Sequence, residues 1–155
     1  MSFNYFAYGS NMLSQRMRKR IPDAEIVGIA SLFGWMFLWD KISKDNSAKA
    51  NLIAEEGTRV WGVVYRLPDQ QMQNLDKVEG GYQRINVIVE PVNGSKIPAV
   101  TYISDNRTAD LLPYDWYKKI VLDGAQEHSL PPDYISAIMK VESIPDTRNS
   151  AGENS

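Results

Sequence analysis

The chain has no cysteine among its 155 residues and a single histidine, His128. The first absence removes disulfides, thiolate nucleophiles and cysteine-ligated zinc. The second removes any multi-histidine metal centre, and a Ser-His-Asp triad would have to run through that one position. Within Gln126-Glu127-His128-Ser129-Leu130-Pro131 it reads as an exposed helix end, so acid/base chemistry falls to carboxylates and no metal is expected. Long apolar runs are also lacking. None approaches the roughly 18 residues a membrane span needs, and Met1-Ser2-Phe3-Asn4-Tyr5-Phe6 has no basic segment ahead of an apolar core. A cytoplasmic location and no membrane partner are the expectation. Charge of one sign is scarce too, with 17 Lys and Arg against 19 Asp and Glu and a formal charge of −2. Only Arg16, Arg18, Lys19 and Arg20 cluster, and they are expected along one solvated helix face. Phosphate binding needs a broader positive field, so nucleic acid is not an expected partner.

What is present suits a packed globule: 43% hydrophobic residues, four Trp and eight Tyr. The length predicts one domain over residues 1–145, followed by a polar tail at 146–155 whose Ser, Asn and Gly content predicts fraying. Phe3 to Tyr8 reads as a buried strand ended by Gly9-Ser10-Asn11, with Ser10 or Asn11 able to cap a helix that stops before Pro22. Ala24 to Asp40 is strongly apolar and interrupted by Gly28 and Gly34, which fits one long bent strand or two short ones. Lys41 to Lys49 looks like a polar surface loop. Ala50–Ala54 and Arg59–Leu67 read as strands separated by a turn at Glu55-Glu56-Gly57. A short helix after Pro68 stops at Gly80-Gly81, and two strands flank the hairpin signal Asn93-Gly94. Helices are expected near Pro113–Gln126 and Pro132–Val141. Strands early with helices interposed and trailing predict an α+β domain, a mixed curved sheet or small β-barrel with surrounding helices.

Two places hold candidate chemistry. A glycine at a strand-to-helix turn lets the Tyr8-Gly9-Ser10-Asn11 main chain approach a ligand, and N–H groups there favour a carboxylate or oxyanion. Taken alone, such a turn is a weak signal, since many strand-Gly-Ser-Asn-helix turns are merely capped helix starts. Glu79 stands at a helix end before two glycines and after apolar Val78, where partial burial would raise its pKa; on its local sequence alone, the solvated loop residue is the favoured reading. Arg84 could pair with a carboxylate or face outward.

Tyr5-Phe6-Ala7-Tyr8-Gly9-Ser10-Asn11-Met12 resembles the YFAYGSN-L/M signature that opens the γ-glutamylcyclotransferases, and Leu75-Asp76-Lys77-Val78-Glu79-Gly80 resembles their L-D-x-x-E-G motif. Val60-Trp61-Gly62-Val63-Val64-Tyr65 is similar to their central strand. Tyr117-Lys118-Lys119-Ile120, Gly124-Ala125 and Leu130-Pro131 are similar to their late helical region. The four strings fall in the family's order across residues 3 to 144. The resemblance implies a γ-glutamylcyclotransferase-like fold and a cofactor-independent enzyme that releases 5-oxoproline from a small γ-glutamyl amino acid or peptide. Glu79 would be the general acid/base, and Tyr5, Phe6, Ala7, Tyr8, Gly9, Ser10 and Asn11, with Tyr117, would bind substrate. γ-Glutamylamines, a γ-glutamyl specialised metabolite, or a binding-only member of the fold are the alternatives. The compact Gly80-Gly81-Tyr82-Gln83-Arg84 departs from members with a longer insertion there, which leaves the substrate open.

Overall fold

The computed structural model describes residues 1–148. Five strands close into a barrel in the order β1-β3-β2-β4-β5: β1 Ser2–Ala7, β2 Glu25–Ile42, β3 Ala48–Pro68, β4 Gln83–Pro91 and β5 Ile97–Ile103. All neighbours are antiparallel except β5 and β1, which meet in parallel at Tyr5 and Val100. The α+β barrel expected from the sequence is the fold observed. Its four helices among the described residues are α1 Ser14–Arg20, α2 Met72–Val78, α3 Asp115–Glu127 and α4 Pro132–Met139. None is long and apolar enough to cross a membrane.

Glycine placement explains the two long strands. Gly28 (φ +147) and Gly34 (φ +84) take conformations that side chains resist, and the β2–β3 register shifts at both positions. Each bulge bends β2 without ending it, so the apolar segment is one strand. The turn expected at Glu55-Glu56-Gly57 is absent. There β3 bulges, moving from Trp35↔Ala54 to Phe33↔Arg59, with Gly57 at φ +85 and Thr58 Oγ1 donating to the Trp35 and Glu55 carbonyls at 2.8 Å each. Turn-like composition does not reverse the chain because β2 pairs with β3 on both sides of it.

The reversal lies instead at Ser43–Ser47, inside the stretch expected to be a surface loop. Ile42 and Ala48 pair across it, Ser47 and Ala48 are fully buried, and the Ala48 N–H donates to the Leu112 carbonyl at 3.0 Å. The segment is polar because its groups satisfy one another: the Asp45 carboxylate accepts from both the Ser47 N–H and the Ser47 hydroxyl. At the carboxy end Trp116 Nε1–H donates to Asp146 at 2.9 Å, and Arg148 pairs with Asp45 at 3.6 Å. The described part of the expected tail is thus fastened to the barrel; residues 149–155 lie outside the described residues.

Candidate active site

A cavity of about 190 Å³ opens at one end of the barrel, between the turn after β1, the β2–β3 turn and the end of α2. The turn after β1 is the first wall. Gly9 leads into a single 3₁₀ turn, Ser10–Met12, and α1 starts only at Ser14 without a side-chain cap. Ser10 and Asn11 therefore do not cap α1 as expected, because the tight turn carries Asn11 inward, where it is 4% exposed. Two groups hold this turn from below. Tyr65 Oη donates to the Asn11 and Met12 carbonyls at 2.7 and 3.0 Å, and His128 Nε2–H donates to the Met12 carbonyl at 2.8 Å. His128 is not an exposed helix end: its side chain is 8% exposed and buttresses the turn.

Glu79 ends α2, and its carboxyl reaches back to that turn. Tyr5 Oη donates to Glu79 Oε1 at 2.5 Å; Asn11 Nδ2 donates to both Glu79 Oε1 and Tyr5 Oη at 3.1 Å. Both donors use the same oxygen, so Oε2 accepts no hydrogen bond among the described residues. Asn11 Oδ1 is a buried acceptor without a partner among the described residues. Glu79 as a residue is only half-buried because its main chain closes a surface helix, but the carboxyl itself lies inside. Its burial pushes its pKa up, against the hydrogen bond from Tyr5, the charge of Arg20, the hydrogen bond from Asn11 and the charge of Arg16. Tyr5 is pushed well up by its own burial and by Glu79, so it stays a donor.

The remaining tyrosines form rigid walls. Tyr8 Oη donates to the Tyr102 carbonyl at 2.6 Å, Tyr82 Oη donates to the Ala50 carbonyl at 2.7 Å, and Tyr117 Oη accepts the Ala50 N–H at 3.1 Å. Burial pushes Tyr117 up to about 12. Tyr8 therefore shapes the cavity with its ring while its proton is committed elsewhere.

The structure brings Tyr5, Tyr8, Gly9, Ser10, Asn11, Glu79 and Tyr117 to one cavity, across as many as 112 residues of chain. Phe6 and Ala7 are not part of it. Phe6 is fully buried on the other face of β1, its ring where a Cβ on Gly62 would sit, 2.8 Å away. Ala7, 1% exposed, offers only a methyl and does not line the cavity. Strand alternation sends Tyr5 and Phe6 to opposite sides.

Sequence reasoning missed the basic side of the cavity. Arg16, Arg20, Lys41 and Lys49 all line it. The expected solvated face is divided: Arg18 and Lys19 are exposed, whereas burial brings Arg16 down to about 10, still charged at neutral pH. The i, i+4 spacing of Arg16 and Arg20 was the available signal. Lys49 pairs with Asp45 at 3.4 Å and lies 4.7 Å from the Trp116 and Tyr117 ring centres. Arg84 is outside the cavity, paired with Asp76 at 2.6 Å. No three of His, Cys, Asp and Glu converge among the described residues.

This arrangement has relatives. A model of the AIG2-like family matches residues 59–138. The γ-glutamylcyclotransferase of Bos taurus is 32% identical over 150 residues, spanning 91% of this chain and 79% of that one. That of Homo sapiens is 31% identical over the same length and shares. A solved structure of a γ-glutamyl cyclotransferase superposes with a TM-score of 0.85 at 30% identity, covering 96% of this chain and 92% of that one.

Proposed function

The chain belongs to the AIG2-like family and is an enzyme of γ-glutamylcyclotransferase type, and from that premise we propose that it converts a γ-glutamyl compound into 5-oxoproline and a free amine, with Glu79 moving the proton. The observation that carries this reading is one carboxylate inside a cavity, held through a single oxygen by Tyr5 and Asn11, with Arg16, Arg20, Lys41 and Lys49 among the residues that line the same cavity.

The substrate supplies its own nucleophile. Its α-amine attacks its γ-carbonyl to close a five-membered lactam, and orientation of such an attack is worth about 7–11 kcal/mol. The cavity's work is to fold the substrate. Cations at Arg16 and Arg20 attract its α-carboxylate. Asn11 Oδ1, the unpartnered acceptor, takes one N–H of the α-ammonium, and Glu79 Oε2 removes another proton. The Ser10 and Asn11 N–H groups open the 3₁₀ turn without main-chain partners among the described residues and receive the oxyanion of the tetrahedral intermediate, each such donor contributing about 3 kcal/mol. Collapse breaks the bond to the leaving nitrogen, to which Glu79 returns the proton. The regenerated carboxylate then takes the second surplus proton from the ring nitrogen, leaving a neutral lactam, and passes it to the amine, which departs as ammonium. The direct test is 5-oxoproline release across a panel of γ-glutamyl amino acids, peptides and amines. Release from none of them would remove the reading.

The pH dependence follows from which form of Glu79 reacts. Only the carboxylate accepts a proton, so kcat/KM falls as pH drops through a pKa raised above the ordinary value of 4.5. Tyr5 provides the largest opposing stabilisation of the carboxylate. Tyr5→Phe should therefore move the acid limb to still higher pH, besides lowering the plateau about 10-fold, the scale of one charge-assisted hydrogen bond. A pH profile of kcat/KM measures it, and an unmoved limb would place the titration elsewhere.

A further inference from the structure

Lys41 is the most deeply buried of the cations that line the cavity. The residue is 8% exposed, yet its ammonium has no hydrogen bond or ion pair among the described residues, only the Tyr82 ring 5.0 Å away. The acidic groups whose charge it feels are Asp45 and Glu79, with Lys44 opposing. Neither carboxylate comes within ion-pair distance of the ammonium: Asp45 pairs with Lys49 and Arg148, and Glu79 is held through Oε1 by Tyr5 and Asn11. A nearly buried ammonium without a counter-ion is a costly arrangement. The surroundings nevertheless maintain it. The Lys41 main chain bridges to Arg107, and the next N–H, of Ile42, donates to the Asn106 carbonyl at 2.9 Å. Gly81, at φ +89, leaves space where a Cβ would stand 2.8 Å from Lys41 Nζ. The ammonium thus has a reserved position beside the segment that follows Glu79.

We propose that Lys41 sets the leaving-group preference by receiving the carboxylate of the amine being released. The inference rests on the cyclotransferase reading above. In that reaction the γ-glutamyl half and the leaving half meet at the γ-carbonyl, which must lie against Glu79. Arg16 and Arg20 come from α1, beside the Gly9–Asn11 turn, whereas Lys41 comes from the end of β2, against Gly81 and Tyr82. Cations on two separate walls suit a substrate with a carboxylate in each half. A γ-glutamyl amino acid has both; a γ-glutamyl alkylamine has only the one in its glutamyl half.

γ-Glutamylalanine and γ-glutamylethylamide differ by that second carboxylate alone, so they are the probes. The wild-type protein should favour γ-glutamylalanine, and Lys41→Met, which keeps the alkyl stem, should reduce the ratio of the two kcat/KM values by about 10- to 100-fold, chiefly through KM. Lys41→Arg should restore part of the ratio. Gly81→Ala, which crowds the ammonium without removing its charge, should lower it in the same sense. Equal losses on both probes, as from misfolding or a role on the glutamyl half, would overturn the assignment, and so would an unchanged ratio. No 5-oxoproline from these probes or from any other γ-glutamyl amino acid, peptide or amine with the wild-type protein would instead overturn the cyclotransferase reading, and this inference with it.

Discussion

Glu79→Gln should lower turnover by about 10²- to 10⁴-fold, the usual contribution of a positioned acid/base group, while making the protein more stable at neutral pH. The two effects share one cause. Inside the cavity the carboxyl is desolvated, which raises its pKa despite the donors Tyr5 and Asn11. A carboxyl whose folded pKa lies above its unfolded value binds more protons in the native state. Its contribution to stability is therefore fully present below the unfolded pKa, near 4.3, and is lost as pH rises through the folded pKa. As pH rises, the wild-type protein must increasingly carry an ionised group in a desolvated place. Glutamine keeps the shape and an acceptor for Tyr5 and Asn11 but has no charge to desolvate. Thermal melts at pH 5 and pH 7 should show the variant's advantage growing with pH, alongside assays of 5-oxoproline release. A variant that keeps near-wild-type turnover would take Glu79 out of the chemistry.

Gly124→Val should cause the largest loss of stability among single changes near the site. Position 124 lies within α3, where propensity alone favours replacing glycine with alanine by about 0.8–1.0 kcal/mol. Packing opposes this. A Cβ at 124 would stand 2.6 Å from the Leu13 nitrogen, 2.8 Å from Met12 Cβ and 2.9 Å from the Met12 carbonyl carbon. Two of those atoms are main chain, so no rotamer change relieves the overlap. Overpacking costs about 1–3 kcal/mol and sometimes more, and a β-branched side chain places further atoms in the same space. A net loss of about 3 kcal/mol corresponds to a melting temperature lower by about 6–12 °C at this size. The same shift displaces the turn that carries Asn11, so kcat/KM should fall about 10- to 100-fold as well. Gly124→Ala should fall between valine and wild type. A valine variant as stable as the wild type would mean that α3 can move away from the turn freely.

The parts of this molecule that could be read from its residues are those decided by neighbours in sequence. Asn93-Gly94 marks the β4–β5 hairpin because a tight turn depends on its own central residues. Gly80-Gly81 marks the end of α2 for a similar reason. The pairing of the Gly9 turn with Glu79 was legible only through the resemblance of two separated motifs, because nothing local in either one points to the other. Where composition and pairing disagreed, composition lost. Glu55-Glu56-Gly57 has the residues of a turn, but a partner strand on both sides makes it a bulge. Ser43–Ser47 is polar enough for a surface loop, but it folds its polar groups onto one another and lies beside the cavity.

The sequence by itself determined the α+β class and the exclusion of cysteine chemistry, and it narrowed the candidates for acid/base work to carboxylates, because residue types limit which protons and electrons can be moved. It also singled out Glu79 and the glycine turn, through family resemblance. Only the tertiary structure decided that Phe6 and Ala7 pack away from the cavity, that His128 supports the turn, and that Arg16, Arg20, Lys41 and Lys49 line its walls. The direction a side chain takes, and whether a charge meets water or another charge, depend on barrel closure, which brings together residues that are far apart along the chain.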